Sequence, residues 1–147
     1  MAVAWRPIDG LKLWGNVGAV AAQFNEFIFN GKEPSNVAPI IVNGGASYRW
    51  AHWRFPVEIG GSVRHVDRRF LAEDNLTRME AYTTADLYAF VDVPGREWDR
   101  PDTNLRIGFR VRNVTDAFYA AYSDSGYPDQ FYLGAPRTYE VSASLRF

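Results

Sequence analysis

The last ten residues of the chain alternate strictly between polar and apolar side chains. In TYEVSASLRF, Tyr139, Val141, Ala143, Leu145 and Phe147 are apolar, and each residue that precedes one of them is polar. Because successive side chains of an extended strand point to opposite faces of a sheet, this pattern predicts a strand with one apolar and one polar face. How often the pattern recurs decides the fold class.

The same alternation recurs in five earlier segments of the chain. These are residues 11–24, 40–50, 54–64, 85–93 and 104–112. Each is close to the roughly 9–11 residues that a tilted strand needs to cross a bilayer, and longer than the usual globular strand of about 5–6. Three long polar connections, residues 25–35, 67–80 and 116–137, fall on one side of the strands. The sequence therefore predicts an all-β protein with six antiparallel strands and no helix.

Composition excludes several classes of protein. The 147 residues carry a formal net charge of -1, whereas a domain that binds nucleic acid usually has an excess of basic residues. They include no Cys, which excludes disulfides and thiolate sites. No apolar run approaches the roughly 18 residues of a membrane helix, and the start of the chain lacks the apolar region of a signal peptide. A hydrophobic content of 47% argues against disorder.

Alternation alone does not decide which face points inward. A soluble all-β small-molecule-binding module would bury the apolar face, whereas a membrane barrel would turn it to lipid. Small residues on the apolar face favour lipid, because they would fill a core poorly; they are Gly44, Ala46, Gly61, Ala85, Ala89 and Ala143. Arginines on the other face suit a wet lumen, but a solvated sheet carries them too. The soluble module therefore stays open as the alternative.

Four segments resemble the last strands of a known family, the TonB-dependent outer-membrane receptors. LGAPRTYEVSASLRF resembles the final loop and strand of that family, and its Gly-Ala-Pro-Arg form is most similar to the siderophore-receptor branch. LRIGFRVRNVTDAFY resembles the penultimate strand, although Val114 and Thr115 depart from the usual Leu and Phe. AYTTADLYAFVDV and SNVAPIIVNGGASYRW resemble two earlier strands, with Asn36 and Pro39 one residue further apart than the family pattern. The matching residues are Tyr48, Trp50, Tyr82, Thr83, Asp86, Asn113, Asp116, Tyr119, Gly134, Pro136 and Arg137.

This resemblance implies an antiparallel transmembrane β-barrel segment, about six C-terminal strands of a barrel of about 22 strands. Residues 1–147 would be the C-terminal part of the barrel, without the plug domain. The implied function is that of a fragment of a receptor for active uptake of a ferric siderophore or similar iron complex, in the outer membrane of a Gram-negative bacterium and without enzymatic activity. The implied partners are the iron complex, the TonB complex through the missing N-terminal region, the barrel assembly machinery and outer-membrane lipid.

The resemblance implies a role for the last strand, and the aromatic content of the last loop suggests a second role near the C-terminus. The apolar side chains of the last strand would form the signal that the assembly machinery reads: Tyr139, Val141, Ala143, Leu145 and Phe147. Aromatic side chains of the last loop could stack on planar groups of a siderophore: Phe118, Tyr119, Tyr122, Tyr127, Phe131 and Tyr132. A surface or adhesion barrel of another family remains a third hypothesis.

The sequence offers no catalytic, cofactor or metal site. His52 and His65 lack the three or four convergent ligands that a metal site needs. The loop from 67 to 80 mixes acidic residues with Arg68, Arg69 and Arg78, and we interpret these charges as solvated. The functional alternative is contact with lipopolysaccharide phosphates or an anionic ferric complex.

Overall fold

The computed structural model describes residues 1–52, 54–98, 103–124, 127 and 130–147. Seven strands form one antiparallel sheet in the order β1-β2-β3-β4-β7-β8-β11. Their bounds are β1 Ala2–Trp5, β2 Leu11–Ala19, β3 Ile40–Trp50, β4 Val57–Val66, β7 Tyr82–Pro94, β8 Asn104–Arg112 and β11 Thr138–Arg146. Two small hairpins lie in the connections, β5 Arg69–Phe70 with β6 Arg78–Met79 and β9 Ala120–Ser123 with β10 Phe131–Leu133.

The all-β antiparallel architecture predicted from the alternation is confirmed. Each of the six predicted strands corresponds to a strand of the main sheet, and β2 ends at Ala19 instead of continuing to Phe24. The prediction missed β1, which has only four residues and pairs with the middle of β2. Two 3-10 helices, Phe27–Phe29 and Gly95–Trp98, are short. In the part of the chain that the structure describes, no helix has the length and apolarity to cross a membrane.

The predicted count of about six strands is wrong, and the described residues form no closed barrel. The described residues form eleven strands, of which seven share one open sheet. Within those residues β1 pairs only with β2, and β11 pairs only with β8, so the sheet has two free edges. Closing a sheet into a barrel requires its two edges to pair with each other. The described strands β1 and β11 do not pair with each other.

The two faces of the main sheet differ as the alternation predicts. Apolar side chains on one face are exposed in every main-sheet strand after β1, for example Val17, Val63, Leu87 and Phe109. Leu87, near the middle of β7, is 53% exposed. The other face carries charged side chains that pair with one another. The sheet is therefore a single layer, with no second layer of described residues packed on its apolar face.

The small hydrophobic core lies at one end of the sheet and not beneath it. The buried apolar side chains are Ala38, Val66, Phe70, Leu71, Ala72 and Met79. Leu71, Ala72 and Met79 contact one another, with Ala120 packed against them. These residues belong to, or adjoin, the connections β2–β3, β4–β7 and β8–β11. Since neighbouring strands are antiparallel, these three connections leave the same end of the sheet.

Candidate functional site

The three long connections fold onto one another and form what we call the loop cluster. It consists of residues 20–39, 67–81 and 113–137, in their described parts. Hydrogen bonds join the first connection to both others: Asn75 Nδ2 donates to the Glu33 carbonyl at 2.8 Å, and Asn36 Nδ2 donates to the Ser123 carbonyl at 2.9 Å. Loops that are far apart along the sheet order are thus held in fixed positions.

Asn36 holds its neighbours with both ends of its side-chain amide. Its Oδ1 accepts the Ser123 backbone N–H at 2.8 Å, while its own backbone N–H donates to the Phe70 carbonyl at 3.0 Å. The Ser123 hydroxyl donates to the Leu71 carbonyl. The φ of Asn36 is 62°, in the left-handed region that Asn tolerates better than most residues. A sharp turn and a bond between loops therefore depend on one residue.

Arg69 lies buried at the centre of the loop cluster, only 4% exposed. Its Nη2 donates to the carbonyls of Ala120 and Ala121 at 2.8 and 2.6 Å, and its guanidinium carbon lies 5.6 Å from the centre of the Tyr82 ring. Its Nη1 is buried and has no hydrogen-bond partner among the described residues. Burial lowers the pKa of the guanidinium, and Tyr82 opposes that shift.

Arg69 also lacks an acidic counter-ion, since no carboxylate of the described residues lies within ion-pair distance of it. A buried charge without a counter-ion costs free energy, and a buried N–H without an acceptor costs about 1–3 kcal/mol more. The interpretation of this loop's charges as solvated is therefore wrong for Arg69. It is right for Arg68 and Arg78, which are exposed.

Arg69 lines a cleft with two further arginines. The cleft has a volume of about 210 Å³ and is lined by Glu33, Pro39, Asp67, Arg68, Arg69, Phe70 and Arg78. The Arg78 guanidinium lies 4.5 Å from the centre of the Phe70 ring. Three cations and two carboxylates leave the lining with a formal charge of +1. A larger cleft of about 380 Å³, lined mostly by apolar residues from 20 to 39, shares Glu33 and Pro39 with it.

The aromatic residues predicted to contact a ligand divide into two groups. Tyr119 stacks on Tyr82 with ring centres 4.0 Å apart, so it is part of the fold. Burial raises its pKa, with Tyr82 and Asp86 adding to the shift. The others are exposed: Tyr122 and Tyr132 stack on each other at 4.4 Å across the β9–β10 hairpin, and Phe118, Tyr127 and Phe131 face outward. Contact of these exposed rings with a ligand stays a prediction.

Four of the residues that carried the family resemblance meet at the turn after β8. Asn113 has a φ of 48°, and its side chain bonds the backbone of Ala117 and the carbonyl of Ala135. Its backbone N–H donates to Asp86 Oδ1 at 3.0 Å. Asp116 Oδ1 accepts the Arg137 backbone N–H at 2.8 Å. These residues hold the loop to the strands, and that is a structural role.

A closed ring of charges lies on the polar face, near the opposite end of the sheet. Arg49 Nη2 lies 2.7 Å from Asp92 Oδ2, and Arg106 Nη2 lies 2.7 Å from Glu58 Oε2. Two longer contacts, Arg49 to Glu58 at 3.8 Å and Arg106 to Asp92 at 3.6 Å, complete the ring. The four charges cancel, so this ring ties β3, β4, β7 and β8 together and offers little attraction to an ion.

The other predicted positions lie in the last strand and at the two histidines. The β11 residues Tyr139, Val141, Ala143 and Leu145, together with Phe147 after it, are exposed, and their role as an assembly signal stays a prediction. His65 Nδ1 lies 2.8 Å from the Thr83 hydroxyl, and His52 is exposed. The described residues contain no group of three His, Asp or Glu side chains that could hold a metal ion.

Comparison with known proteins gives a likeness of fold. The crystal structure of BauA, the ferric preacinetobactin receptor from Acinetobacter baumannii, matches 95% of this chain with a TM-score of 0.81 and 18% sequence identity. This chain spans about one fifth of BauA, since the match covers 20% of that chain. No protein-family model matches the sequence, and no curated protein matches it.

The identification with the TonB-dependent outer-membrane receptors is corrected by these findings. The four motifs do not bring a family match, the sheet is open where the family would have a closed barrel, and 18% identity to BauA extends to the fold alone. The likeness to BauA gives no support to TonB, the assembly machinery or lipid as partners. The all-β small-molecule-binding module fits better than the receptor fragment, because it requires no closed barrel.

Proposed function

We propose that this chain is an all-β binding module whose ligand is an anionic iron complex of the ferric siderophore class, bound without catalysis. The observation that carries the proposal is the buried Arg69, for which the described residues supply neither a counter-ion nor an acceptor for Nη1. An anion in the adjoining cleft would compensate that charge. The name of BauA, a ferric preacinetobactin receptor, supports the choice of ligand class.

The cleft offers the chemistry that such a ligand needs. Guanidinium groups bind carboxylate, catecholate or phosphate oxygens through paired N–H donors, and hydrogen bonds to charged groups are stronger than neutral ones. Arg68 and Arg78 are exposed and can reorient toward a ligand, whereas Arg69 is fixed by the two carbonyls it binds. The exposed rings of Tyr122 and Tyr132 supply a flat apolar surface on the same loop cluster.

The test is a titration of the 147-residue chain with ferric preacinetobactin. Binding is measured by the quenching of tryptophan fluorescence. The double variant R68Q/R78Q should weaken binding roughly tenfold or more, because each lost charge-assisted contact is worth about 1.5–3 kcal/mol. The control R112Q/R146Q removes the same charge from residues outside the cleft and should leave the Kd unchanged. Equal weakening by both double variants would reduce the effect to net charge and overturn the proposal.

Arg69 itself needs a separate variant, because it also ties the loops together. R69M roughly keeps the side-chain volume and removes the charge. It should lower the affinity for the ligand below that of R68Q/R78Q, while the unfolding transition in denaturant remains cooperative. Inorganic phosphate added as a competitor distinguishes a general anion site from a siderophore site. If phosphate displaces the iron complex at equal concentration, the cleft selects any oxyanion and the ligand class proposed here is wrong.

The cellular location is also a proposal. The exposed apolar face of the sheet is the observation that favours an outer-membrane location, since the hydrocarbon of a bilayer would remove these side chains from water. The loop cluster would then lie beyond one boundary of the membrane, where a ligand can reach it.

A further inference from the structure

The edge strand β11 lacks the short length, bulges and prolines that commonly protect a sheet edge. Its nine residues pair with β8 without interruption, from Thr138 opposite Arg112 to Arg146 opposite Asn104. It contains no Pro, Gly or bulge, and its other side has no partner among the described residues. Natural sheets blunt an exposed edge with short strands, bulges or prolines, because unpaired backbone groups template the addition of another strand. The other edge, β1, is blunted by its length of four residues.

The sequence of this strand is complementary to itself in one antiparallel register. If two copies meet about a two-fold axis at Ala143, every pair of opposing residues matches in kind. Glu140 faces Arg146, Val141 faces Leu145, Tyr139 faces Phe147, Ser142 faces Ser144, and Ala143 faces Ala143. Cross-strand pairs of opposite charge, of aromatic rings and of apolar side chains are the ones that stabilise a sheet.

Charge selects this register over its neighbours. Glu140 and Arg146 are the only charged residues from 138 to 147. An axis at Ser142 would place Glu140 opposite Ser144 and Arg146 opposite Thr138, which leaves both charges without an opposite. Glu140 already accepts from Arg112 Nε at 2.7 Å, and its second oxygen is available to a second arginine. Arg146 has no ion pair among the described residues.

The register also keeps the two faces of the sheet continuous. Directly opposed residues of antiparallel strands lie on the same face, and here each odd-numbered residue meets another odd-numbered one. The apolar face of one copy therefore continues into the apolar face of the other. We propose that β11 is an interaction surface for a second copy of this chain, paired antiparallel about Ala143 in one sheet of twice seven strands.

A cysteine at the axis tests the proposal directly, because the chain contains no Cys. In A143C the two sulfurs would meet across the axis, since opposed Cα atoms lie roughly 4.5–5.5 Å apart, within disulfide range. Under mild oxidation in detergent, A143C should run as a disulfide-linked dimer on a non-reducing gel. V141C alone should not cross-link, but V141C mixed with L145C should, because those positions face each other. V3C, on the other edge, is the control for random collision.

Charge variants test the register by a second route. R146E leaves the Arg112 contact intact but places a second carboxylate opposite Glu140, so the yield of A143C dimer should fall roughly fivefold as two surface pairs become repulsive. E140R added to R146E should restore it. Cross-linking of A143C and V141C at equal yield, or a monomer by sedimentation at every concentration tested, would overturn the proposal.

Discussion

At the scale of single residues, asparagine side chains join the loops to one another. Asn36, Asn75 and Asn113 all have positive φ, and the side chain of each bonds backbone groups of another connection or of its own turn. The short amide side chain tolerates the left-handed conformation and offers both a donor and an acceptor. Each residue thus fixes a turn and satisfies the backbone groups that the turn leaves unpaired.

Variants of Asn113 separate the contribution of its side-chain hydrogen bonds from that of its backbone conformation. N113A should destabilise the fold by about 3–5 kcal/mol, since it loses three side-chain hydrogen bonds and places a Cβ in the left-handed region without compensation. N113G loses the same bonds but tolerates the φ, so it should cost about 1 kcal/mol less. Urea unfolding followed by fluorescence measures both. Equal costs for the two variants would show that the conformation contributes nothing.

The sequence predicts the roles of the site residues less well than those of the residues in the turn after β8. The motif residues Asn113, Asp116 and Tyr119 stand out by spacing, and the structure brings them together as a turn. Arg69 could not be separated from Arg68 by residue type, because burial depends on contacts with residues about fifty positions away. The one local signal was the apolar run Phe70-Leu71-Ala72 directly after it, which favours burial of that end of the loop.

At the scale of strands, alternation predicted the elements because each strand has two faces of different chemistry. β3, β4, β7, β8 and β11 all follow the pattern, and their registers keep like residues on one face. The pattern could not predict β1, whose four residues are too few to show a period. It also could not predict closure, because the pairing of two edges depends on what lies beside them.

Glycines within these strands make room for aromatic rings on the polar face. A Cβ on Gly60 would lie 2.5 Å from the Tyr88 ring and 2.7 Å from the Ala46 carbonyl oxygen. G60A should therefore destabilise the fold by about 1–3 kcal/mol, the usual cost of overpacking. G18A is the matched control, because its nearest neighbour is a carbonyl oxygen at 4.0 Å.

Urea unfolding of the two alanine variants and of G60A/Y88A tests this account. The double variant should recover the part of the cost that comes from the ring and keep the part that comes from the Ala46 carbonyl. If G18A costs as much as G60A, loss of glycine in a strand explains both results and the contact with Tyr88 does not.

At the scale of the whole molecule, the chain exposes more surface than its size warrants. Its accessible surface is 10277 Å². A compact protein of 16.7 kDa exposes about 7,600 Å², so the excess is about 2,700 Å². The single-layered sheet accounts for this excess, because a layer without a partner exposes both faces. Pairing of β11 edges would cover backbone groups but would leave the apolar face exposed.

Lysine substitutions, one on each face of the sheet, test whether lipid covers the apolar face. L87K places a charge on the apolar face near the middle of β7, where an outward charge in a bilayer costs about 2–4 kcal/mol. Partition of the chain into phospholipid vesicles, measured by flotation, should therefore fall roughly thirtyfold or more. S62K adds the same charge to the polar face, opposite Asp86, and should leave partition unchanged. If both variants partition as the parent chain does, the apolar face is not in contact with hydrocarbon, and a second protein layer must cover it.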